Sequence, residues 1–196
     1  MPFFSPQSAR YTAAAACVFV LSCAAKPPLD SRIIEEEQFT LVIPKTWRAS
    51  TDAHNEQCKL LHDAKDRDQP FELRICLVME GPSFVASEHG FFFDEKSWTY
   101  AGSMDIQPAE FSVASNGVRL TGIASCGITD EAGFHSAGGK CLTSIFFGEK
   151  YSVVFETDGS TTDFSEVRKI VNSAVLTKPG TIGAIKAQLE PTDTAN

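Results

Sequence analysis

The sequence predicts an α+β domain: antiparallel β-hairpins forming a sheet flanked by helices, stapled by two disulfides. Three observations carry this prediction. Short runs of alternating apolar and polar residues recur along the chain, separated by turn-forming residues. One stretch near the C-terminal end instead carries the 3.6-residue stripe of an amphipathic helix. Four cysteines, an even number, fall in the body of the domain. With 196 residues, 43% hydrophobic and 21% charged, the chain has room for one core of ordinary size and not for two full domains.

The first twenty-two residues contain one base, Arg10, and no acid, and they include the apolar run Ala13 to Leu21. That is the pattern of an export signal, and the run is too short to span a bilayer as a permanent anchor. The tetrapeptide Val20-Leu21-Ser22-Cys23 at its end resembles the bacterial lipobox. The resemblance implies cleavage before Cys23, with acyl chains on its thiol and on the new amino terminus. Several chains on one residue bury enough methylenes for stable anchoring, whereas one chain holds only reversibly. An ordinary secretory signal cut near Ala24 or Ala25 is the plainer alternative. Cys17 lies too early in the apolar run to serve. Ala24 and Ala25, and no acid, stand directly after Cys23, and in lipoproteins of the enteric type that sends the anchor to the outer membrane, with the domain facing the periplasm.

Residues 1–22 are therefore read as leader, 23–37 as a lipidated flexible tether, 38–178 as a single α+β domain and 179–196 as a loose tail. The tether contains Pro27-Pro28 and the acidic Glu35-Glu36-Glu37, with no apolar period beyond Ile33-Ile34. Within the domain, Phe39, Leu41 and Ile43 alternate onto one face of a first strand that Pro44 stops. Gln57 to His62 and Phe71 to Glu80 flank a polar turn near Arg67. Glu110 to Ser115 and Gly117 to Cys126 meet at Asn116-Gly117, and Cys141 to Phe147 and Tyr151 to Thr157 meet at Gly148-Glu149. Asp163 can cap a helix, Glu166 completes a capping box, and Phe164, Val167, Ile170, Val171, Ala174 and Val175 form its buried stripe. Pro179-Gly180 ends it. Ser83 to Gln107 fits neither period cleanly and reads as largely irregular, with room for a short helix.

Cys58, Cys76, Cys126 and Cys141 remain after processing, and in an oxidising compartment they read as two disulfides. Three pairings are possible. The strand reading favours Cys58 with Cys76 across the turn near Arg67, and Cys126 with Cys141 across the second hairpin. Each bridge would close a loop of roughly fifteen to twenty residues, worth about 3 kcal/mol in the chain-entropy account.

The opening strand with Pro44-Lys45-Thr46-Trp47, and the closing Tyr151-Ser152-Val153-Val154-Phe155 leading into Ile170-Val171-Asn172-Ser173-Ala174-Val175, resemble PsbP-like, Mog1-like and DcrB-like proteins. The resemblance covers a third of the mature chain. It implies a central antiparallel sheet flanked by helices and a role in binding other proteins or assisting assembly. It carries no functional residue over, because the matched positions read equally well as core and turn.

Removing the leader takes away Arg10 and no acid, leaving 16 basic and 25 acidic residues and a formal charge of −9. Nucleic acid is disfavoured as a partner, and no basic cluster exists to bind it. The catalytic search is negative: there is no nucleophile elbow, zinc-protease helix, phosphate-cradling loop or dinucleotide fingerprint. His54, Cys58 and His62, spaced by four, would share one helical face suited to a soft metal. Oxidation of Cys58 and the strand reading both oppose that, so no metal site and no cofactor are assigned. The glycine-rich loop Gly127 to Lys140, with Asp130, Glu131 and His135 between two cysteines, reads as a presented binding loop. Phe91-Phe92-Phe93, Trp98 and Tyr100 read as rings packed under a loop.

Three functions of different class follow. The leading one is a non-catalytic, membrane-anchored module that binds a protein partner in the cell envelope. The second is an immunity protein stationed in the periplasm against an antibacterial toxin. The third is a periplasmic hydrolase or metal-binding protein working through His54, His62 or His135.

Overall fold

Successive residues of a strand point to opposite faces, so an apolar run without alternation must be covered on both sides. Ile145 to Phe147 and Val153 to Phe155 are such runs, and they lie at the centre of the fold. The computed structural model describes residues 30–64, 72–94, 96–114, 117–130, 133–158 and 163–189. In chain order its elements are β1 (Ser31–Glu35), β2 (Phe39–Pro44), β3 (Trp47–Thr51), β4 (Cys58–Asp63) and β5 (Glu72–Val78). Then come α1 (Pro82–Glu88), β6 (Phe91–Asp94), β7 (Ser97–Ala101), β8 (Ile106–Pro108), β9 (Glu110–Ala114), β10 (Gly117–Asp130) and β11 (Gly133–Phe147). The chain continues through β12 (Ser152–Asp158), α2 (Ser165–Asn172), β13 (Val175–Leu176) and α3 (Ile182–Leu189).

A seven-stranded antiparallel sheet in the order β3-β4-β5-β12-β11-β10-β9 forms the middle layer. Alternate residues of its strands feed two separate cores. Leu73, Ile75, Leu142, Phe146, Val153 and Phe155 face one side, where β2, α2 and Leu176 of β13 supply the complementary apolar surface. Val118, Leu120, Ala124, Ile145, Phe147 and Val154 face the other, against α1, α3 and the sheet β6-β7-β8. The expected antiparallel sheet flanked by helices is present, with a small sheet added to each flank.

Both disulfides follow the favoured pairing. Cys58 stands directly opposite Cys76 in the β4–β5 ladder and is bonded to it, and Cys126 is bonded to Cys141.

Four expectations change. Ser31 to Glu35 does not belong to a spacer: as β1 it pairs along its whole length with β2, so the sheet begins before the three glutamates end. Ile34 faces the first core there, which is the burial that its isolated apolar pair concealed. Ile182 to Leu189 does not belong to a loose tail but forms α3, with Ile185 and Leu189 buried against the second core. Ser83 to Gln107 is regular: α1 is followed by the meander β6-β7-β8. Finally, the C-terminal helix stops at Asn172, and Val175 lies in β13, 49% exposed, while Leu176 beside it is buried.

The start and end of α2 are fastened by side chains. Asp163 is not the cap: the N-cap position falls on Phe164, which has no side-chain cap bond, and Asp163 Oδ1 instead accepts the Ser165 N–H at 2.8 Å from one residue further out. Glu166 does not close a capping box; its carboxylate accepts the indole N–H of Trp47 at 3.2 Å and ties the helix to β3. At the other end, Ser173 Oγ accepts the Val42 N–H at 2.9 Å and lies within donating distance of the carbonyls of Ile170, at 2.7 Å, and Val42, at 3.1 Å. Replacing Ser173 with alanine would strand a backbone donor in a partly buried position. Ser173→Ala is expected to cost about 1–3 kcal/mol in urea unfolding; an unchanged midpoint would mean that this hydroxyl is not what joins α2 to β2.

Arg119 of β10 is an unusual occupant of a packed sheet, being only 6% exposed. Its guanidinium lies 4.5 Å over the Phe146 ring and gives one bond, at 2.8 Å, to Asn172. Its two other nitrogens have no hydrogen-bond partner among the described residues, and burial pushes its pKa down to about 10. A buried cation so sparsely paired destabilises the fold relative to an apolar chain of the same length. Arg119→Met should raise the urea midpoint; a lower midpoint would show that the ring contact and the Asn172 bond outweigh desolvation.

Candidate functional site

The segment read as a binding loop is a β-hairpin arm. β10 pairs with β9 only from Gly117 to Thr121, and β11 pairs with β12 only from Thr143 to Phe147. Beyond those rungs the two long strands continue together, without a third strand on either side among the described residues. The pairing shifts register between Ser125 and Gly127 and resumes as Gly127 with Ser136 through Asp130 with Gly133. The Cys126–Cys141 bond crosses the arm where the register shifts. A polar, glycine-rich composition read as loop because it lacks the apolar alternation of a sheet strand; an arm in solvent needs none.

Asp130 stands in the last rung before the turn, and Glu131 lies outside the described residues. His135 is exposed and opposite Ile128, with Nδ1 3.3 Å from the carbonyl of Ser136. The side chain that the sequence reading overlooked is Phe134, 57% exposed, whose ring lies over the Gly127 backbone; a Cβ at Gly127 would fall on that ring.

At the root of the arm, on the side of the small sheet, lies a polar cleft of about 370 Å³ lined by Arg74, Tyr100, Ser103, Gly127, Thr143 and Glu156 among others. Arg74 and Glu156 are direct cross-strand neighbours in β5 and β12. Each is held by a different partner. Arg74 Nε is 3.1 Å from a carboxylate oxygen of Asp52, itself 2% exposed, and Asp52 also accepts the His54 N–H. Glu156 lies 2.8 Å from the Nδ1 of His89, which follows α1. Tyr100 and Thr143 share a 2.8 Å hydrogen bond along the wall. Burial pushes the Tyr100 hydroxyl pKa up. Asp105 fastens the turn that carries Ser103 by accepting the backbone N–H and the hydroxyl of Ser125.

The hydrogen bond from His89 is the main reason that the Glu156 carboxyl lies below its ordinary pKa of 4.5, with burial opposing it and the charges of His89 and Arg74 adding to it. A depressed carboxyl pKa stabilises the fold fully above the ordinary value, and that contribution is lost as the pH falls through the folded-state value. Below pH 4.5 the melting temperature of the wild-type protein should therefore fall more steeply than that of Glu156→Gln; parallel curves would remove this pair from the account.

The set His54, Cys58 and His62 is not a metal site. Cys58 is consumed by its bond to Cys76, His54 lies in the loop before β4, and His62 lies on β4. Among the described residues no three His, Cys, Asp or Glu side chains are grouped to hold an ion. Arg74 and Glu156 were legible in principle, as single charges inside the apolar runs Leu73-Arg74-Ile75 and Phe155-Glu156-Thr157. Their meeting with His89 and Tyr100 depends on the small-sheet segment, which read as irregular. Residues 1–29, with Cys23, lie outside the described residues. Among the described residues no helix is long and apolar enough to cross a membrane.

No protein-family model matches the chain, and no curated protein matches it. The solved structures that are similar at low identity include the following two. The solution structure of cyanobacterial PsbP (CyanoP) from Synechocystis sp. PCC 6803 is 11% identical, covering 80% of this chain and 98% of that one, with a TM-score of 0.47. A crystal structure of a protein from Bacteroides thetaiotaomicron VPI-5482 is 10% identical and covers 73% of this chain, with a TM-score of 0.41. The chain spans 46% of the length of that second protein.

Proposed function

We propose that the protein is a non-catalytic lipoprotein, held through lipid on Cys23 to the periplasmic face of the outer membrane, that binds a protein partner of the cell envelope through the β10–β11 arm. The observation that carries this reading is the arm itself. Two paired strands leave the sheet with no third strand on either side among the described residues, side chains of Asp105 and Thr157 meeting the edges only at Ser125 and Leu142, and with an exposed aromatic ring near the tip. Unpaired strand edges offer a row of backbone donors and acceptors, and an extended partner segment can join them by adding a strand. A soluble domain with no such task would cover these edges or shorten them. The disulfide across the register shift limits the conformations open to the arm, which reduces the ordering cost of binding.

The test is a crosslinked pull-down of the full-length protein from its own membranes, beside Cys23→Ala and Phe134→Asp forms. One envelope protein should be enriched with the wild type and lost with Phe134→Asp, and Cys23→Ala should appear in the soluble fraction. An identical set of captured proteins with and without Phe134 would refute the arm as the binding element. Retention of Cys23→Ala on the membrane would refute the anchor.

A further inference from the structure

The cleft beside the arm holds an arrangement that neither packing nor partner binding requires. Oppositely charged residues directly across an antiparallel ladder ordinarily pair with each other. Arg74 and Glu156 stand in that position and do not pair: Arg74 is drawn back by buried Asp52, and Glu156 by His89. The Asp52 carboxylate lies 3.1 Å from the Arg74 Nε as an ion pair without hydrogen-bond geometry, no side-chain hydrogen bond engages the two terminal guanidinium nitrogens among the described residues, and Arg74 lines the cleft. Glu156 uses one oxygen for His89, and its second oxygen has no partner among the described residues. A guanidinium and a carboxylate thus line one polar space, each with its own ion-pair partner and joined to the other by no direct ion pair.

We propose that this cleft binds a zwitterion of the α-amino-acid class, its carboxylate held by the Arg74 fork and its ammonium by Glu156. The guanidinium fork suits a carboxylate because two parallel N–H donors match its two oxygens. A simple anion would meet the field of Glu156, and a simple cation that of Arg74, so a ligand bearing both charges is favoured over either half. The space of about 370 Å³ lies in the size range of small-molecule sites. Its remaining wall is made by the Tyr100–Thr143 hydroxyl pair, Ser103 and the backbone at Gly127, which suits a short or polar side chain. This site is separate from the partner-binding reading, although a ligand lodged there would touch the root of the arm at Gly127.

Isothermal titration of the full-length protein tests this, using free L-serine, L-alanine and L-glutamate, with propionate and propylamine as the two half-ligands. At least one amino acid should bind with a dissociation constant below about 10 mM, and each half-ligand about tenfold more weakly or worse. Arg74→Lys, which keeps the charge and loses the fork, and Glu156→Gln should each weaken binding about tenfold. Should either variant fail to fold, Ser103→Trp fills the cleft from an exposed turn without touching a charge and should abolish binding. The proposal is overturned if no amino acid binds, if propionate binds as tightly as the amino acid and marks a plain oxyanion site, or if binding survives in the folded variants. The pull-down can fail while this titration succeeds, so the two readings are separable.

Discussion

Gly122→Val is expected to destabilise the protein by about 3 kcal/mol or more, through overpacking of a kind that already costs 1–3 kcal/mol for small insertions. Gly122 lies in β10 where the Tyr100 ring passes directly over the backbone, and an added Cβ would fall within that ring. Tyr100 has nowhere to go. It is buried, its hydroxyl is bonded to Thr143, and its ring packs 4.9 Å from that of Phe91. Accommodating a branched side chain would lift β7 from the central sheet and open the second core. Urea unfolding with near-UV circular dichroism measures both effects, and a wild-type midpoint for Gly122→Val would sink the argument. A second substitution sharpens it. Tyr100→Ala makes space for the Cβ, so the double variant should lose less than the sum of the two singles, the signature of direct contact in a mutant cycle.

Reducing both disulfides is expected to have a comparable or larger effect. The bonds span 18 and 15 residues. Loops of that length are worth about 3 kcal/mol each, so together about 6 kcal/mol, against a total stability of roughly 5–15 kcal/mol for domains of this kind. The consequences should differ by site. Cys58–Cys76 joins neighbouring strands on the β3 side of the central sheet, and its loss should act on global stability. Cys126–Cys141 lies at the base of the arm, and its loss should additionally speed amide hydrogen exchange from Gly127 to Ser136. Melting temperature and hydrogen exchange of Cys58→Ala/Cys76→Ala and Cys126→Ala/Cys141→Ala proteins check this. Equal melting temperatures with and without reductant would exclude it. The same arithmetic predicts poor folding in a reducing compartment.

The legible parts of this fold are those where a local pattern and a long-range role agree. β2 alternates because one of its faces is covered, and the pairings of Cys58 with Cys76 and Cys126 with Cys141 followed from the turns between them. The β6–β7 hairpin was hidden because Phe91, Phe92 and Phe93 are all apolar although only Phe91 is fully buried; a strand with an apolar outer face shows no period. β1 was hidden by Glu35 at its end and the two glutamates that follow, a charge that is harmless on the open edge of a three-stranded sheet. α3 was hidden by Pro179-Gly180, which end one element without forbidding another. The arm was located but its form was missed, since a two-stranded arm in solvent has no buried face to impose alternation. The cleft was the least legible part. Its groups come from β5, β7, β12 and the end of α1, and nothing in their spacing along the chain records that meeting.

The pairing of β1 with β2 also sets a length. Under the anchor proposed at Cys23, a spacer running to Glu37 would let the domain reach about 50 Å from the lipid at full stretch; counted only to Ser31, where the ladder begins, eight residue steps reach about 28 Å. Under that proposal the domain is a near neighbour of the membrane surface. It follows from the proposal that lengthening the chain by a flexible insert after Pro28 should widen the set of proteins captured in the pull-down.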